Sequence, residues 1–173
     1  YVELGSWVLD RQPRTGAAYH RFKVAVYGAL DERFAPLLAQ VDDPTTLVGI
    51  QWGGVRVGQI RELNDPVRRP PSEITWAVPS EVVFELRIGD RTIVYPRRII
   101  GPHELANDSA AGADGATIPF GISYCSLCRT AVAFDRRAGG RELTFKTSGL
   151  LAGANKLMVD DQTGTLWQQA TGE

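Results

Sequence analysis

Short runs that alternate apolar and polar residues, cut by glycine or proline at nearly every break, fill this chain from Val82 to its end. A strand points successive side chains to opposite faces, so a run such as Val82-Val83-Phe84-Glu85-Leu86-Arg87-Ile88 suits a half-buried strand. Runs at 92–95, 117–124, 130–136, 142–147, 156–160 and 165–169 read the same way. Gly89-Asp90, Gly139-Gly140 and Asp161-Gln162-Thr163-Gly164 supply turns between them. Regular spacing of this kind predicts a mainly β fold: an antiparallel sandwich or barrel-like sheet with one or two short helices.

The first sixty residues are less uniform. Residues 20–27 alternate like a strand. Phe34, Leu37, Leu38 and Val41 share one face of a helix over 36–41, where Pro36 suits the first turn. Residues 46–60 read as a hairpin turning at Gly53-Gly54. Pro66, Pro70, Pro71 and Pro79 make 64–79 an irregular connector. If the chain divides, it divides there, into a β-rich segment with a short helix (1–60) and a domain over 61–173. The first segment is either a unit of its own or part of that domain. Pro102 to Leu105 is expected to form a single helical turn, and 109–115 a small-residue loop.

Composition narrows the function classes. At 173 residues, 43% apolar and 23% charged, the chain can bury a substantial core. A net charge of -1 gives no reason to expect nucleic acid or an anionic membrane as partner. No run approaches the ~20 apolar residues that span a bilayer. The only methionine is Met158, so the expectation is a chain that begins inside a longer precursor or has been trimmed of a signal or anchor.

Cys125 and Cys128 are the only cysteines. Two sulfurs at that spacing can share a metal, close a disulfide, or exchange electrons with a partner thiol. In thioredoxin-like proteins such a pair opens a helix whose N-terminal field lowers a thiol pKa. Here Val132 and Phe134 continue a strand, leaving Arg129 to supply some positive field. The turn resembles a zinc-ribbon knuckle, yet a second cysteine pair is missing. His103, beside Glu104, is the better placed histidine for a third ligand; His20 reads as structural. Met158 suits core packing, Asp160 and Asp161 suit a turn, and Trp167 suits a core anchor or a cleft wall. No phosphate loop, nucleophile elbow or helical metalloprotease motif occurs, and Ser148 lacks the partners of a triad.

Three blocks carry a family resemblance. The first is Tyr95-Pro96-Arg97-Arg98-Ile99-Ile100 leading to His103-Glu104 and Asn107-Asp108. The second is Tyr124-Cys125-Ser126-Leu127-Cys128 continuing to Phe134-Asp135-Arg136. The third is Ser148-Gly149-Leu150-Leu151, then Leu157-Met158, Asp160, Gln162-Thr163, Leu166-Trp167, Gln169 and Thr171-Gly172-Glu173. From about Ile60 to Glu173 the chain thus resembles the bacterial and archaeal family catalogued as domain of unknown function 3179. The resemblance implies that His103, Glu104, Cys125, Cys128 and the segment 160–167 belong to one recurring site, and that the protein is exported or anchored outside the cytoplasm. The chain departs from the family at Ser126, Arg129, Val159 and Asp161. The resemblance also implies that the family pattern continues past Glu173.

Together these readings predict an extracytoplasmic protein that holds one copper or zinc ion through Cys125, Cys128 and His103. Glu104 would orient a ligand or act as acid or base, Met158, Asp160 and Trp167 would line the pocket, and a small molecule would be the substrate. Two alternatives stand beside it: a thiol–disulfide redox protein using Cys125 and Cys128, and a non-catalytic interaction module with structural cysteines.

Overall fold

The computed structural model describes residues 16–172. Its ordered backbone is mainly strands in antiparallel sheets, as the alternating runs predict, and neither large sheet closes into a barrel. One sheet takes β1 (Ile50–Trp52), β10 (Phe145–Ala152), β11 (Asn155–Asp160) and β12 (Leu166–Gln168) in that order. The other takes β2 (Leu63–Asn64), β5 (Leu105–Ala111), β6 (Thr117–Cys125) and β7 (Thr130–Asp135), with a short parallel step only between β2 and β5. Two hairpins, β3 (Val83–Ile88) with β4 (Arg91–Pro96) and β8 (Arg137–Ala138) with β9 (Arg141–Glu142), complete the β-structure of the described residues.

Four layers follow from which face each strand buries. Leu157 and Val159 of β11, with Leu150 and Ile50, face the helices α1 (Gly16–Leu30), α2 (Phe34–Ala39) and α3 (Pro44–Gly49). Leu105, Leu143, Phe145 and Met158 fill the gap between the two sheets. Ala106, Ala110, Phe120, Ile122 and Tyr124 face outward from β5 and β6, onto the β3–β4 hairpin and the helix α4 (Arg97–His103). Among the described residues no helix is long and apolar enough to cross a membrane.

The N-terminal part departs from the sequence expectation. Residues 20–27 are not a strand; they lie inside α1. Tyr19, Lys23, Tyr27 and Leu30 form one stripe against the core at helical spacing, while Val24 and Val26 only mimic a strand's alternation. Buried Lys23 donates to the carbonyls of Leu47 and Val48 and lies over the rings of Tyr19 and Tyr27. The 46–60 hairpin is also corrected. Asp43 caps α3 by accepting from the N–H groups of Thr45 (3.2 Å) and Thr46 (2.7 Å), with Pro44 behind it. β1 then pairs with β10 rather than with residues 55–60. Two smaller differences lie further on. The helix expected at Pro102 begins at Arg97, and Ser109 to Ala111, the first three residues of the expected 109–115 loop, belong to strand β5 paired with β6, while 112–115 make the turn.

Asn107 joins the two sheets. Its side-chain carbonyl accepts the Phe145 N–H (2.9 Å) and its amide donates to the Phe145 carbonyl (2.8 Å), so a side chain of β5 imitates a strand partner for β10. Replacing Asn107 by alanine would leave both Phe145 groups buried and unpaired, at about 1–3 kcal/mol each. Asn107→Ala should therefore lower the chemical-denaturation midpoint by an amount equivalent to at least ~2 kcal/mol with an unchanged m-value; a shift below ~0.5 kcal/mol would refute this role.

Candidate functional site

Alternation aims one set of side chains into the gap between the sheets near the β6–β7 turn. On β6, Ser123 and Cys125 share that face, and register sets Cys125 opposite Thr130 of β7. On β11, Lys156 and Met158 face the same gap. Residues 126–129 make the turn, which Arg129 closes in the left-handed region at φ 56°. A strand follows the second cysteine, as the alternation of Val132 and Phe134 predicts.

The two thiols sit in unlike surroundings. Cys125 is 2% exposed and accepts the Cys128 N–H at 3.4 Å, whereas Cys128 is partly open to solvent. The Cys128 sulfur lies 2.9 Å from the Thr130 hydroxyl and accepts the Asn155 amide at 3.4 Å. Asn155 also donates to Gln169 (2.9 Å), and buried Gln169 donates to the Ser123 carbonyl (3.0 Å). Burial pushes the Cys125 thiol up, and its hydrogen bond with Cys128 adds to that. Burial also works against a Cys128 thiolate, but donors at Cys125, Thr130 and Asn155 outweigh it and hold Cys128 below the usual thiol range.

Glu104 and Lys156 adjoin this pair. Glu104 follows α4 as its C-cap with φ 58°, a conformation that costs a side-chain-bearing residue about 1–2 kcal/mol. Its surroundings hold it there. The Glu104 carbonyl accepts from the Tyr124 N–H (2.8 Å) and Lys156 Nζ (3.1 Å). Its carboxylate accepts from the Ser126 hydroxyl (2.6 Å), between the cysteines, and from Lys156 (3.1 Å). Lys156 is 2% exposed; burial draws its ammonium below its ordinary value, opposed by Glu104 and by the two thiols. Breaking a buried pair of this kind typically costs about 3–5 kcal/mol, because the remaining charge is left uncompensated.

A cleft of about 160 Å³ opens beside the pair. Cys125, Ser126 and Leu127 form one side of it, with Glu104 and Lys156 next to them. Val55 and Ile60 also line it, with Gly149 and Leu150 of the β10 bulge at Ser148–Leu150. There the Ser148 hydroxyl donates to the Leu157 carbonyl (2.6 Å) and accepts the Leu150 N–H, replacing ladder bonds. Gly149 has φ 83°, and a methyl group on it would overlap the Val55 carbonyl, so only glycine lets residues 53–58 wrap this bulge.

The expected site residues separate into two groups. Glu104, Cys125 and Cys128 come together. His103 does not turn to the sulfurs: its Nδ1 lies 2.8 Å from the Arg61 carbonyl. Among the described residues no three His, Cys, Asp or Glu side chains are arranged to hold a metal ion. Met158 packs in the inter-sheet core. Asp160 lies four positions along β11 from Lys156, roughly 13 Å at strand rise. It collects the Thr163 N–H and hydroxyl (2.6 Å each), the Thr165 N–H (3.1 Å) and the Trp167 indole (2.9 Å). Trp167 packs edge-on against Phe145. Sequence reasoning missed Lys156, Asn155 and Thr130, and placed Gln169 only in the third family block. Lys156 left one usable sign, a charge on the same strand face as Met158.

The family described as protein of unknown function (DUF3179) matches residues 58–173. The chain belongs to that family. All three sequence blocks lie inside the match, and Cys125, Cys128, Glu104 and Lys156 fall within it, whereas Val55 precedes it. No curated protein and no solved structure matches the chain.

Asp160 allows a test against pH. Burial raises its carboxyl, but hydrogen bonds from Thr163, Trp167 and Thr165 outweigh burial and hold it below the usual carboxylate range. A depressed folded value contributes stability that is complete above the unfolded value of about 3.9 and is lost as pH falls through the folded one. Asp160→Asn should cost on the order of 2 kcal/mol at pH 7 in urea unfolding, and the gap from the parent should narrow below about pH 4. A gap that stays constant down to pH 2 would contradict this.

Proposed function

We propose that the protein carries out thiol–disulfide exchange through Cys125 and Cys128, most plainly in an extracytoplasmic setting where disulfides persist. The supporting observation is the unlike setting of two adjacent thiols. Cys128 is reachable and surrounded by donors, whereas Cys125 is buried next to it. No helix follows the pair, so Thr130 and Asn155 take over the thiolate stabilisation that a helix N-terminus supplies elsewhere.

The chemistry balances as two displacements. The Cys128 thiolate attacks one sulfur of a partner disulfide, and the other partner sulfur leaves as a thiolate. Cys125, deprotonated in its turn, then attacks the Cys128 sulfur of the mixed disulfide and expels the second partner thiolate. Two electrons have passed to the partner and a Cys125–Cys128 disulfide remains; the reverse sequence oxidises a partner dithiol. Two soft donors in one turn also suit copper(I) or zinc, and the same experiment separates that reading.

Protein purified without chelators and fully reduced should show Cys128 alkylated by iodoacetamide at least about tenfold faster than Cys125 near pH 7. The pair should titrate as one two-electron couple above about -300 mV. Stoichiometric copper or zinc protecting both thiols would favour metal ligation. Two thiols inert to alkylation in metal-free native protein would sink the redox reading.

A further inference from the structure

Cys128 meets solvent at the turn, whereas the cleft is lined by Cys125 and not by Cys128. The thiol pair therefore has two approaches. Because a partner's disulfide reaches Cys128 from outside, the cleft is left as a separate way to the other sulfur.

Its chemistry is specific. Val55, Ile60, Leu127, Leu150 and Leu151 give aliphatic walls. The two charged residues that line it, Glu104 and Lys156, are paired with each other at 3.1 Å. Among the described residues that line it no unpaired charge remains to meet an ion, and stripping water from a charged ligand costs several kcal/mol without a partner. A volume of about 160 Å³ is well below that of a drug-sized pocket. Resting on the thiol–disulfide reading above, we propose that this cleft admits a small uncharged thiol that reduces the Cys125–Cys128 disulfide by attack at Cys125.

The hydrogen bonds give the direction of cleavage. A small thiol RSH enters the cleft uncharged and loses its proton to water there; its sulfur then attacks the Cys125 sulfur, which breaks the protein disulfide, forms an R–S–S–Cys125 mixed disulfide and releases Cys128 as a thiolate. Thr130 and Asn155 are already placed to receive that charge at 2.9 and 3.4 Å, and the better stabilised thiolate is the better leaving group. A second RSH, deprotonated in the same way, attacks the small sulfur of the mixed disulfide, giving RSSR and a Cys125 thiolate, which takes up a proton. Two thiols are oxidised and one protein disulfide is reduced. Cys128 is then free to act on the outer partner.

The test uses Cys128→Ser, which leaves Cys125 alone at the cleft. The variant is treated with bis(2-hydroxyethyl) disulfide (uncharged), dithiodiglycolate (anionic) and cystamine (cationic), and mixed-disulfide formation is followed by intact mass. Each rate is divided by the rate on the same protein unfolded in urea. The neutral reagent should react at least about tenfold faster than either charged one. Adding Val55→Phe, which fills the cleft, should slow it at least fivefold. The same Val55→Phe change in a Cys125→Ser background should leave iodoacetamide labelling of Cys128 unchanged. Equal normalised rates for all three reagents, or a neutral rate indifferent to Val55→Phe, would overturn the cleft assignment while leaving exchange at Cys128 intact. A wild-type protein that never closes the Cys125–Cys128 disulfide would instead remove the reading on which the cleft rests.

Discussion

Buried polar side chains, more than apolar contact, decide how the two large sheets face each other. The apolar cluster between them is small, built on Leu105, Leu143, Phe145 and Met158. Asn107 adds a strand-like amide pair across the gap, Gln169 reaches from the end of β12 to Ser123 of β6, and Lys156 of β11 reaches Glu104. Apolar packing is non-directional and tolerates sliding, whereas an unpaired buried amide or ammonium is costly. Each of these links therefore penalises other offsets between the sheets.

That offset is what assembles the candidate site. The cysteine turn belongs to one sheet, and the residues that make its thiols unlike belong partly to the other: Asn155 and Lys156 come from β11. A displacement of one residue along β11 would turn Lys156 away and bring Asn155 or Leu157, neither of them charged, in its place. Glu104 pays for its position with a left-handed backbone, and three hydrogen-bond donors from β6, the turn and β11 keep it there. Strain maintained by surrounding contacts is a recurrent mark of functional sites.

Legibility in the sequence followed contact range. The β3–β4 hairpin around Gly89-Asp90, strand β6 and the strand β7 after Cys128 could all be read, because alternation and turn residues act over a few neighbours. Residues 20–27 misled for the same reason: alternating valines imitate a strand when the helical stripe of Tyr19, Lys23, Tyr27 and Leu30 is not weighed against it. Asp43-Pro44-Thr45-Thr46 carried a helix-start signal that the glycine pair at 53–54 overshadowed. Glu104 and the cysteines could be named as site residues. The separation of His103 and of Asp160 with Trp167 from them could not, because it depends on where a helix end and a strand end fall in space.

Local pattern alone determined that the chain is mainly β, that Cys125 and Cys128 share a turn between strands, and that the family's blocks fall between about Ile60 and Glu173. Only the tertiary structure decided which sulfur is buried and which is reachable, that a buried lysine and a strained glutamate adjoin them, and that residues before the family region wall the cleft. Strand periodicity is written in neighbouring residues. The environment of a thiol is set by groups dozens of positions away, and only the docking of one sheet on the other brings those groups within hydrogen-bond distance.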